Sequence, residues 1–291
     1  MRYFLVLFVL LFQGQFSIKA FSLSDVDYTT ADSVQVVQWL EEAREQYVKT
    51  DRMLFFAKKF LGRPYVGGVL DRNDNEKLVV NLKELDCATL VENVTALSLT
   101  AGRGSTSFFD FCEALERIRY TQGIRSGYAS RNHYFSEWIR SNSDMGLLVD
   151  LFDERYHVRE SALAPLTLKI NYMSRNFSQY PLLRKSKDAR KQISAKEQAI
   201  SGSRIWYLPK EKIAMQTQEQ KAFREGDIVA FVTRKSGLDI AHVGVLCYQE
   251  GEWHFIHASS LRKKVVIEPL TLSEYLKKQP MLLGIRVLRV H

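Results

Sequence analysis

The side-chain pattern changes period near Glu225, and this limits the fold more than any other feature. From there to the C-terminus, EGDIVAFVT, AHVGVLCYQ, EWHFIHASS, KKVVIEPLT and LLGIRVLRV each carry β-branched and aromatic residues, with RKSG and QEGE as turns. Upstream, ADSVQVVQWLEEAREQY, DRMLFFAKKFLG and SFFDFCEALERIRY have helical spacing. Helices first and strands after predict an α+β fold with an antiparallel meander of about five strands. At 291 residues the chain can bury a large core. Residues 123–224 are irregular and read as an insertion, with KSKDARKQISAKEQAIS helical and exposed and IWYLPKEKI a strand then a turn.

Met1-Arg2, the apolar run Tyr3 to Phe12, polar QGQ and small Ala20 have the order of a secretory signal peptide. Residues 1–20 are therefore expected to be removed, leaving a single domain over 21–291 that is periplasmic or secreted. The apolar run is too short to span a bilayer, so no stable membrane insertion is expected. Three cysteines, Cys87, Cys112 and Cys247, are too few and too odd in number for a disulfide scaffold. Cys112 and Cys247 read as core residues, and nothing demands a bridge between them. The net charge of +8 favours anionic partners. Export and the dispersal of the basic residues argue against nucleic acid and for anionic wall polymer. The one basic run, LRKSKDARKQ, reads as a solvated loop.

Cys87 stands where a helix begins. Leu85 is apolar, Asp86 is a good N-cap, Leu90 can close back on Leu85, and Gly102 falls where a left-handed cap belongs. Two readings of Cys87 stay open: a small buried hydrophobe, or a thiolate stabilised by the helix dipole and unpaired amides. The second needs a base. Of six histidines, His242 opens a strand after SGLDIA, and EWHFIHAS lies across the QEGE hairpin. His254 and His257 are three apart, so they point to opposite faces and only one can face His242. With no CxxC or HExxH spacing, neither a metal site nor a cofactor is predicted.

In order, RPYVGG, DCATLVEN, GLDIAHVG and FIHAS resemble the NlpC-type, papain-like cell-wall cysteine peptidases. The closest branch is that of the N-acetylmuramoyl-L-alanine amidases. The resemblance runs from about residue 50 to the C-terminus and includes SRNHYFSEWIRSN. It implies an NlpC-type core with Cys87 as nucleophile, His242 as general base, His257 as orienting group and Tyr65 at the oxyanion. The expected substrates are disaccharide-peptide fragments of peptidoglycan, met by a monomer. The related stem-peptide endopeptidases usually place serine after the cysteine, and use the preceding Asp to hold an amino terminus. Here Asp86-Cys87-Ala88 lacks that hydroxyl, which favours the amidase branch while keeping Asp86 a substrate-side candidate. Arg131, His133 and Trp138 are candidates for a sugar-binding wall; for Trp138 the competing reading is the core face of a helix. A γ-D-glutamyl–diamino acid endopeptidase, a catalytically silent wall-binding module and an acyltransferase are the alternatives.

Overall fold

The computed structural model describes residues 21–45, 51–153, 162–213 and 223–291, so the signal segment 1–20 and His157 lie outside it. The helical half is built around α3 (Cys87–Gly102), whose residues from Thr89 to Thr100 are all buried. Around it pack α1 (Thr30–Glu45), α2 (Arg52–Lys59) and α4 (Phe108–Arg119). As expected, Asp86 caps α3, accepting from the Thr89 amide at 2.8 Å. The Thr89 hydroxyl closes a capping box with the Asp86 amide at 2.9 Å. Gly102, however, is the last helical residue, and the left-handed turn falls two residues later at Gly104, φ 75°.

Two short strands, β1 (Val26–Asp27) and β2 (Leu78–Val79), pair in parallel beside this bundle. Below β2, Arg119 of α4 donates to Glu92 of α3 at 2.7 Å and to the Val79 carbonyl at 2.6 Å, a buried ion pair joining three elements. Among the described residues no helix is long and apolar enough to cross a membrane.

The C-terminal half is an antiparallel sheet, but not the simple five-strand meander expected. Strands β6 (Ile228–Thr233), β7 (Ile240–Gln249), β8 (Glu252–Ser259) and β9 (Lys264–Ile267) do follow one another. The chain then passes through a short helix, α9 (Leu272–Lys277), and β10 (Leu282–Val290) returns to pair with β6. The other edge of β10 carries β3 (Leu148–Asp150) and β5 (Arg204–Pro209), and β4 (Ala164–Thr167) extends β5. Residues 123–224 thus supply three of the eight strands described for this sheet.

Helix α5 (Phe135–Asp144) precedes β3, and α6 (Tyr172–Arg175), α7 (Pro181–Lys185) and α8 (Lys187–Ile200) lie between β4 and β5. The basic run 183–192 belongs largely to α7 and α8 rather than to a loop. Helix α8 is amphipathic rather than wholly exposed, burying Ala189, Ile193, Glu197 and Ile200. One face of the sheet, including Ile228, Ala230, Val245 and Ile256, packs on the helices. On the other face, Val229, Phe231, Phe255 and Val287 pack beneath α9. Cys112 and Cys247 are buried in the first core, and all three cysteines are free thiols.

Candidate active site

The β7–β8 ladder ends at Val245 and Ile256, although β7 begins at Ile240 and β8 continues to Ser259. Beyond that pair the ladder between them forks open, while β8 keeps β9 as the partner along its other edge. The N-terminus of α3 closes on this fork. The Val243 amide donates to the Cys87 sulfur, joined by the amides of Ala88 and of Cys87 itself, which have no partners within the helix. Residues widely separated in the chain thus meet where the strands part.

Across the fork, His242 Nε2 lies 2.6 Å from His257 Nδ1, with the rings edge to face at 85°. His257 Nε2 in turn lies 3.2 Å from Glu268 Oε2. This leaves Nδ1 of His242 as the ring nitrogen that does not face His257. Gly244 makes the approach between strands feasible: a Cβ there would stand 2.8 Å from the Ile256 carbonyl oxygen and 3.3 Å from the His257 Cβ. His254 faces the other way, its Nδ1 2.9 Å from the Glu268 carbonyl.

Tyr65 is tied in by its amide to the Lys263 carbonyl, and the next amide reaches the Leu85 carbonyl beside the Asp86 cap. Its hydroxyl pKa is raised by burial and by the neighbouring Cys87 and Asp86. Tyr275 of α9 packs against Phe231, Phe255 and His257. Burial pushes its hydroxyl up to about 12, with Glu268 and Cys87 adding to the shift.

The electrostatics bear on the two readings of Cys87. Burial, reinforced by the Asp86 charge, pushes the Cys87 thiol up to about 12 despite the three amides that favour its anion. Burial also pulls His242 down to about 4, and His257 to about 3 with help from His242 and Arg262. The resting site is therefore a neutral thiol beside neutral imidazoles. Desolvation outweighs the helix dipole, which contributes only ~1–2 kcal/mol in a partly buried site.

The sugar-wall candidates fare unevenly. Trp138 is 1% exposed and stacked on Phe135 in the core, so its indole has no open face for a sugar. Arg131 is engaged by Glu76 at 2.6 Å and by Asp71 at 2.9 Å, and lies over the Tyr128 ring. His133 is paired to the Tyr128 carbonyl at 2.8 Å, its pKa lowered by burial and by Arg131. Arg131 and His133 thus brace the loop around residues 70–76 and the turn at Tyr128. Glu268 and Tyr275 escaped the sequence reading, since a carboxylate and a phenol with no motif around them give no signal. Asp239 of GLDIAHVG has a legible role: its carboxylate accepts from the Ser136 amide at 2.7 Å, capping α5 and anchoring the entry to β7.

Among the described residues no group of three or more His, Cys, Asp or Glu side chains stands where it could hold a metal ion. A Bacteroides uniformis N-acetylmuramoyl-L-alanine amidase superposes with a TM-score of 0.76 at 37% identity, covering 82% of this chain and 97% of that one. A Bacteroides fragilis protein described as a xylanase candidate gives 0.75 at 37% identity, over 81% of this chain and 100% of that one. A glycosidase uses a pair of carboxylates flanking the scissile bond; here Asp86 is spent on a helix cap and Glu268 stands behind an imidazole. A Legionella pneumophila structure at 22% identity and TM-score 0.65, covering 90% of this chain and 97% of that one, shares the fold. No curated protein matches the chain. Residues 55–285 match the AmiA-like family, and the chain accordingly belongs to this family of N-acetylmuramoyl-L-alanine amidase-like proteins.

Proposed function

We propose that the protein is a cysteine-dependent amidase of NlpC-type, papain-like architecture. It would cleave the amide between the N-acetylmuramoyl lactyl group and L-alanine in peptidoglycan fragments. The observation that carries this reading is the β7–β8 fork, where the Cys87 sulfur is bound by the amide adjoining His242 while His242 faces His257. The segment 1–20 supports action outside the cytoplasm.

As the Cys87 sulfur attacks the lactyl carbonyl carbon, its proton passes to His242 Nδ1, which suits a pair that rests neutral. The carbonyl oxygen becomes an oxyanion, for which the Cys87 amide and the Tyr65 hydroxyl are the nearby donors. The tetrahedral adduct collapses to a thioester, and the imidazolium gives its proton to the departing L-alanine nitrogen. Water then attacks the thioester while His242 takes one of its protons. The muramoyl carboxylic acid leaves, and the thiol is restored.

The test is digestion of defined disaccharide-peptides with the products weighed. Release of an intact stem peptide is expected, with loss of all turnover in Cys87→Ala. A shortened stem would instead make the protein a γ-D-glutamyl endopeptidase. Retained cleavage in Cys87→Ala would overturn the nucleophile.

A further inference from the structure

We propose that Glu268 is a positioning residue that selects the tautomers of both site histidines, an inference that rests on reading His242 as the base. Glu268 is 5% exposed and follows directly on β9. Its amide donates to the Phe255 carbonyl at 2.9 Å, and its own carbonyl faces His254 Nδ1 at 2.9 Å, so the backbone is pinned to β8 on both sides. Its Oε1 accepts from the Leu270 amide at 3.3 Å, which aims Oε2 at His257 Nε2, 3.2 Å away.

A carboxylate only accepts hydrogen bonds, so this geometry places the single proton of neutral His257 on Nε2. Its Nδ1 is then a lone pair and can only accept across the 2.6 Å contact with His242 Nε2. His242 must therefore carry its proton on Nε2, which leaves a lone pair on Nδ1 to receive the thiol proton. The opposite order, both rings protonated on Nδ1, satisfies the same His–His contact with its polarity reversed but leaves no base for sulfur. The two histidines alone do not choose between these orders; the carboxylate breaks the tie.

The test is long-range proton–nitrogen NMR of the full chain with labelled histidine, comparing wild type, Glu268→Gln and Glu268→Met. Wild type should show both His242 and His257 protonated on Nε2. The Gln variant keeps only one acceptor oxygen; with that oxygen on the Leu270 amide its NH2 group donates to His257 Nε2, so the order should reverse to Nδ1 protonation, whereas the Met variant should mix the two tautomers. Turnover in the Met variant should fall roughly 10- to 100-fold in kcat with little change in KM, and Gln should not restore it. A Met variant with wild-type tautomers, or a wild type with His257 protonated on Nδ1, would overturn the proposal. Should the Met variant fail to fold, the wild-type and Gln spectra still decide. Tautomers are read without turnover, so failure of the cysteine mechanism in Cys87→Ala would be a separate result.

Discussion

The Val243 amide is hydrogen-bonded to the Cys87 sulfur, so the residue after His242 touches the side chain that opens α3. Because this contact is made by backbone, its position is set by the sheet and the helix rather than by a flexible side chain. It makes the thiol sensitive to small changes in local charge and spacing.

Asp86 is the nearest such charge. It raises the pKa of Cys87, second only to burial, and also contributes to raising Tyr65. Asn caps a helix about as well as Asp, so Asp86→Asn should change stability by less than about 0.5 kcal/mol. The pH profile of Cys87 alkylation, followed by peptide mass, should move to lower pH. An unmoved profile would show that the carboxylate does not reach the sulfur.

Gly244→Ala tests the close approach at the root of the fork. The added methyl would meet the Ile256 carbonyl, the Phe255 ring and the His257 Cβ. A cost of about 1–3 kcal/mol in stability is expected from overpacking. Activity should drop further than that cost explains, because His257 is the group displaced. Wild-type turnover in a folded Gly244→Ala protein would count against the proposed role of His257.

His254 and His257 provide an internal control on one strand. His257→Ala removes the partner of His242, and turnover should fall at least tenfold, whereas His254→Ala loses only a contact to the Glu268 carbonyl and should retain most activity. Equal losses in steady-state assays would mean the wrong face of β8 was assigned.

Acid stability carries a definite sign. His242 and His257 are held at about 4 and about 3, below the ordinary 6.5, so the unfolded chain binds protons the folded one refuses. Their contribution is whole above pH 6.5 and is lost as pH falls toward 4 and then 3. The slope reaches up to about 1.4 kcal/mol per pH unit for each histidine. Buried carboxylates such as Glu92 and Asp239 are raised and act in the opposite sense. The measurement is therefore urea unfolding of wild type against His257→Phe, in which the carboxylates cancel. The variant should lose less stability on acidification.

The legible part of the fold was what local periodicity can express. The capped start of α3 at Asp86, the helical spacing of α4 and the strands after Glu225 follow from neighbours in sequence. What escaped depends on distant pairing. The return of β10 beside β6 has no local signal, because a strand's own pattern does not name its partner. The charge on Cys87 stayed open in the sequence for a related reason: helix position shows there, whereas desolvation is produced by the elements that close over it. Trp138 followed its helical spacing into the core, and the aromatic density of its segment proved to be packing.

The last described strand, Leu282–Val290, lies between β6 on one edge and β3 and β5 on the other, so without it β5 and β6 each lose a neighbour and β3 loses its partner. A nascent chain halted before residue 282 would present two unpaired borders instead of one continuous surface. Any such intermediate would recruit other chains, so truncation near the end should yield aggregate rather than a weakened protein.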